Sequence, residues 1–154
     1  MPTALLVLIF VSLLPYVLAA FGGAAKVAEL GHFDHHHPRI QSTQLMSKGA
    51  RVMAAQSNAW EALAFYSAVL FTAYASGVHW DELAAPALLF GLTRALHPLF
   101  YIANMAMARS LVVLIELISC LYMFGLAAVK AMSFGLPRRS SLSIHNANKN
   151  NDNH

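Results

Sequence analysis

Two groups of residues in this chain carry groups able to do chemistry inside otherwise apolar sequence. The first is Arg51, Gln56, Asn58 and Glu61; the second is Arg94, His97 and Tyr101, followed by Arg109 and Ser110. An ionisable side chain at the centre of a membrane span costs about 2.5–3.5 kcal/mol on insertion scales, so such groups face protein or a wet cavity. On a helix, Arg51 and Asn58 fall nearly two turns apart on one face. Asn58 and Glu61, three apart, are neighbours on it, and Gln56 sits further round. Arg94, His97 and Tyr101, at i, i+3 and i+7, form a second stripe. Turned inward, the stripes make a seam of three arginines, one carboxylate, an amide, an imidazole and a phenol. One reading is a structural network, with Glu61 paired to Arg94 or Arg51 and Asn58 linking helices. The other is a ligand site. The positive surplus calls for an anion, and a small peptide with two carboxylates and one amine would suit guanidinium forks and one glutamate.

These groups are set on four apolar stretches. The first is Thr3–Ala25, continuing as helix to Leu30, with Pro15 inside it. No Lys or Arg precedes it, and it exceeds the apolar core of about 7–15 residues of a secretory leader. It is long enough to span a bilayer, which takes about 20 residues, so we read it as a retained first helix. A polar loop, Gly31–Ser47, follows. The second stretch is Gly49–Gly77, amphipathic first and apolar over Ala62–Ala75. Val78–Glu82 is a short connection, so the second and third helices are expected as antiparallel neighbours. Asp81 and Glu82 suit a helix start, where carboxylates meet the positive dipole end. The third stretch is Leu83–Met107. A tight turn near Asn104–Ala108 leads to the fourth, Leu111–Val129, which Arg109 and Ser110 open and which contains Glu116. The expected organisation is a transmembrane domain over residues 1–134 and a disordered polar tail over 135–154, where apolar residues are too few to bury.

Composition agrees with a bilayer partner. Of the 154 residues, 58% are hydrophobic and 11% charged, against about 25% charged in ordinary soluble domains. The net charge of +3 comes without a Lys/Arg block, so no nucleic-acid partner is expected. Cys120 is the one cysteine and reads as a small buried hydrophobe. His32, His35, His36 and His37 cluster in the first loop, but no cysteine or helical spacing completes a zinc site, and no metal is expected. Glu116 reads as an inward ion pair or a contact between copies. Lys and Arg divide almost evenly between the two sides, so the positive-inside rule leaves orientation open.

The spacing Arg51-x6-Asn58-x2-Glu61, then Arg94-x2-His97-x3-Tyr101 and Arg109-Ser110, resembles the signatures of the MAPEG family (membrane-associated proteins in eicosanoid and glutathione metabolism). The loop Phe33-Asp-His-His-His-Pro-Arg39 resembles that of bacterial members. The resemblance covers roughly Thr3–Val129. It implies an all-α, integral membrane four-helix bundle, multi-pass in a bacterial inner membrane and assembled as a homotrimer. It also implies glutathione as co-substrate, bound between protomers near the first loop, and transferase or peroxidase activity on a small lipophilic electrophile. By the same resemblance Asn58 and Glu61 hold the peptide's polar ends, with Glu61 on the γ-glutamyl amine. Arg51 and Arg94 offset carboxylates, and Gln56 matches a glutamine of some members. His97 and Tyr101 line the cleft. Arg109, beside Ser110, matches the catalytic arginine that stabilises the thiolate; at a helix N-terminus it would add the helix dipole to its charge. One position departs: active members usually carry an arginine four residues before the asparagine, and here it is Ala54. The fold therefore carries over further than the activity. The alternative is a non-catalytic bundle binding a lipid or protein partner.

Overall fold

The computed structural model describes residues 1–135, and the expected polar tail lies outside them apart from Gly135 itself. The described chain is helical: α1 (Thr3–Leu30), α2 (Pro38–Ser42), α3 (Ser47–Ala75), α4 (Trp80–Ile102) and α5 (Ala106–Gly135). Four long helices correspond to the four apolar stretches, and α2 is a single turn inside the polar loop. Pro38 at its first position is preset for helix and has no N–H to lose.

Local chemistry fixes the ends. α1 stops at Gly31, whose φ of 79° is left-handed, a conformation that glycine adopts without steric cost. The N-terminus of α3 is capped from outside. The Glu29 carboxylate accepts the Met46 and Gly49 N–H groups at 2.9 and 2.8 Å. At the head of α4, Glu82 accepts the His79 N–H at 3.3 Å, and the helix begins at Trp80 with Asp81 and Glu82 in its first turn, as expected. The α4–α5 turn is tighter than expected. Asn104 takes a φ of 60°, a region where asparagine is enriched, and α5 already begins at Ala106.

α1 packs chiefly on α3 and α4, while α5 packs on α4 and α3. The core joins Val11 of α1, Tyr66 and Val69 of α3, Phe90 of α4, and Cys120 and Met123 of α5. The Tyr66 and Phe90 rings stack at 4.2 Å, and the Tyr66 hydroxyl donates to the Ala4 carbonyl at 3.1 Å. The outer surface is apolar as well: Leu6, Leu13 and Phe21 on α1 and Leu114, Ile118 and Tyr122 on α5 are exposed. A face of this kind suits hydrocarbon, not water.

By length and composition three helices can cross a membrane: Thr3–Leu30, Trp80–Ile102 and Ala106–Ser133. Four were expected. α3 falls short because Lys48, Arg51, Gln56, Asn58 and Glu61 crowd its first half; its second half is apolar but for Ser67 and Thr72.

Candidate functional site

The polar stripes converge where α3, α4 and α5 meet. Arg94 is buried, 2% exposed, and its Nη1 donates to Asn58 Oδ1 at 2.9 Å. Its Nη2 forms an ion pair with Glu116 of α5, also buried. The carboxylate for Arg94 is therefore Glu116 and not Glu61. Glu61 is exposed, and no ion pair of the described residues includes it. Sequence alone offers Glu116 as an inward ion pair or a contact between copies but does not give Arg94 as its partner, because Glu116 stands alone among apolar residues, with no partner stripe on its own helix. The signal available was the rule that a charge at membrane depth needs an opposite charge.

Asn58, Glu61, Phe65, Arg94, Val113 and Glu116 line an open cleft of about 220 Å³. Its floor is the neutralised Arg94–Glu116 pair, and Glu61 stands at its rim. Arg94 Nε and the buried Ser119 hydroxyl have no hydrogen-bond partner among the described residues.

A second group lies toward the α4–α5 turn. His97 is buried, and its ring meets that of Tyr101 edge-on at 5.5 Å. The Arg109 guanidinium lies over the Tyr101 ring at 4.6 Å, a cation–π contact that holds the charge while leaving its N–H groups free. Tyr101 in turn rests on Leu18, Ala55 and Ala59. Arg51 Nε donates to the Ile102 carbonyl at 3.1 Å, satisfying one of the orphan carbonyls that end every helix. The structure thus gathers Tyr101, His97 and Arg109, with Ser110 exposed beside them. Neither His97, which is buried, nor Tyr101 is among the residues that line the cleft at Asn58 within this one chain.

Arg109 also sits deeper in its helix than expected. Its N–H already bonds the Met105 carbonyl at 3.0 Å, because α5 begins three residues earlier. The free N–H groups of the dipole end belong to the preceding turn, so the guanidinium is the charge Arg109 offers.

Gln56 is separated from the other site residues. It turns to a different cleft, of about 240 Å³, between α1, α2 and α3, where Lys26, Phe33, Arg39 and Ser42 join it. Gly22 keeps that contact close: a Cβ there would lie 2.7 Å from Met53 Sδ.

Comparison with known families bears on the whole arrangement. The family model of the MAPEG family matches residues 1–129. No curated protein matches the chain, and no solved structure does.

Proposed function

The chain belongs to the MAPEG family, and on that premise we propose that this membrane protein binds glutathione and acts as a transferase or peroxidase on a lipophilic electrophile. The observation that carries the reading is Arg109: a guanidinium seated on the Tyr101 ring, in none of the ion pairs of the described residues. A cation so placed lowers the pKa of a thiol and holds the thiolate, which is the nucleophile. In the transferase reaction the thiol proton passes to solvent. The sulfur then forms a bond to the electrophilic carbon, and the leaving group departs with its electron pair. Glu61 at the cleft rim takes the peptide's amine, and Asn58 a polar end.

The same reading makes α3 a fourth span within a four-helix bundle. Its exposed Glu61 and half-buried Asn58 are costly against lipid, so a neighbouring copy covers them, in a homotrimer with the peptide between protomers. Cross-linking in mild detergent then stops at three copies, and a clean monomer overturns the assembly.

A second reading has one observation in its favour. Arg94 is spent on Glu116, and Ala54 supplies no cation, so the cleft has fewer groups for carboxylates than the sequence suggested. A non-catalytic bundle binding a lipid or a protein partner would tolerate that. Titration of the detergent-solubilised protein with glutathione, followed by thiolate absorbance in the ultraviolet, decides between them. The enzyme reading requires a saturable signal that Arg109→Ala abolishes. No signal at millimolar glutathione leaves the non-catalytic reading.

A further inference from the structure

We propose that the cleft between α4 and α5 at mid-span binds a long-chain lipid that carries a keto oxygen away from its head, with the Ser119 hydroxyl as hydrogen-bond donor. This goes beyond the glutathione reading and does not rest on it. The cleft shares no lining residue with the one at Asn58 and Glu61. Val113 of that cleft and Tyr122 of this one are nine residues apart on α5, about two and a half turns, so they face opposite sides of the helix.

The central observation is a buried donor without an acceptor. Ser119 is 3% exposed, and its hydroxyl has no hydrogen-bond partner among the described residues. A serine or threonine inside a helix can return its hydroxyl to a carbonyl one turn back. Ser67, Thr72, Thr93 and Ser133 all do so in this chain, at 2.7, 2.8, 3.1 and 2.9 Å. Ser119 does not. It borders an open cleft of about 270 Å³ instead, with Ala85, Pro86 and Leu89 of α4 and Ile118 and Tyr122 of α5. The Tyr122 phenol is the one other polar side-chain group in that lining. A buried hydroxyl left unpaired is costly.

Position along the helix selects the occupant. Ser119 stands ten residues from Arg109 and eleven from Lys130, the charges that bound the apolar run of α5. It is the fourteenth residue of the 28-residue segment Ala106–Ser133. The midpoint of a span lies about 15 Å from either boundary of a hydrocarbon core about 30 Å thick. Ester and phosphate oxygens of ordinary lipids stay outside that core and do not reach Ser119, and the core holds no water to take their place. What reaches it is a chain within the core, and exposed Leu89, Ile118 and Tyr122 offer such a chain apolar surface. A saturated chain fills the cleft but leaves the hydroxyl unpaired. A keto oxygen in mid-chain accepts from it, and brings no donor of its own that would need a partner in the same apolar walls.

The test uses the full chain in a neutral detergent, without glutathione, so its outcome is independent of the thiolate titration. The probe is methyl 12-oxooctadecanoate, and methyl octadecanoate is the control without the keto oxygen. The keto stretch is read by infrared spectroscopy, as the difference between ligand labelled with carbon-13 at that carbonyl and unlabelled ligand. Binding should move the band saturably to lower frequency, and Ser119→Ala should abolish the move. The half-saturating concentration, read by thermal unfolding, should be about fivefold lower for the ketone than for the control, the worth of one neutral hydrogen bond. In Ser119→Ala the two should be equal. Without ligand, Ser119→Ala should unfold at the parent's temperature or above it, because no hydrogen bond of the described residues is lost. A lower temperature gives the hydroxyl an internal partner and overturns the proposal. An unmoved keto band, or equal half-saturation by ketone and control in the parent chain, overturns it as well. A band shift that survives Ser119→Ala but is lost in Tyr122→Phe moves the donor to the phenol and overturns the assignment of Ser119.

Discussion

Glu116→Gln tests the ion pair at the floor of the α3–α5 cleft. In the parent chain Arg94 is 2% exposed, with Glu116 as its counter-charge and Asn58 Oδ1 as a neutral acceptor at 2.9 Å. The variant keeps side-chain length and an acceptor oxygen but removes the negative charge, so Arg94 is left buried and uncompensated. Breaking a buried pair from one side costs about 3–5 kcal/mol. The retained amide oxygen places this case at about 3 kcal/mol, near the lower end of that range. For a chain of about this length each kcal/mol moves the midpoint by roughly 2–4 °C, so the expected loss is about 6–12 °C. The assay is thermal unfolding in one detergent at one scan rate. Replacing both partners together, Arg94→Leu with Glu116→Leu, should recover most of the loss, because apolar replacements of a buried pair are often neutral or stabilising. Glutathione should protect Glu116→Gln more than it protects the parent, since the freed Arg94 still lines the cleft. A midpoint within about 2 °C of the parent refutes the reasoning. A double variant less stable than the single one does so too.

Two further outcomes follow from the first loop. Glu29→Ala removes the carboxylate that accepts the Met46 and Gly49 N–H groups; it should cost about 1 kcal/mol, the usual worth of a helix cap. Faster hydrogen exchange confined to the first turn of α3 is the check, and unchanged exchange there contradicts the cap. The second concerns pH. The N–H groups of His37 and His36 hold the Asp34 carboxyl below its ordinary value. A depressed carboxylate stabilises the fold above its unfolded pKa and loses that effect as pH falls through the folded value. Protection factors of the His36 and His37 amides should therefore be flat down to about pH 4 and decline below it. Asp34→Asn should abolish the decline, and a decline that persists in Asp34→Asn refutes the assignment to that carboxyl.

How far the sequence reaches is clear from particular residues. The four long helices follow from the four apolar stretches, although α3 is not continuously apolar enough to count as a span by composition, and the interruptions fall at Gly31 and the polar loop, at Gly77 and at the expected turn near Asn104. The stripe on α4 was legible because i, i+3, i+7 spacing places Arg94, His97 and Tyr101 on one face whatever that face meets. What the face meets was not legible. Pairing of Arg94 with Glu116 depends on the rotation of α5 about its own axis, and a lone glutamate has no periodicity to define that rotation. The separation of Gln56 from Asn58 was visible in the helical angle between them. Its cleft was not, because that cleft is completed by Lys26 on α1 and by the single turn of α2. The first stands alone just past the end of the apolar run Thr3–Ala25, and the second is too short for any periodic pattern.

These pairings divide the proposed glutathione site unevenly. At its thiol end Arg109 keeps a free guanidinium held by Tyr101. At its carboxylate end Arg94 is spent on Glu116, Arg51 Nε is turned to the Ile102 carbonyl, and position 54 is alanine. Affinity should therefore be weak while thiolate formation, once the peptide is bound, is not. Ala54→Arg tests this division. Position 54 is half-buried on α3, one turn before Asn58, where a long side chain can extend toward solvent. One new charge-assisted contact to a ligand carboxylate is worth about 1.5–3 kcal/mol, hence roughly tenfold or more in affinity. Binding should tighten by that factor, while the pH at which bound thiol ionises stays that of the parent, because Arg109 sets it. A shift in thiol ionisation without tighter binding would place the cation at the wrong end of the peptide and refute the assignment of Arg109.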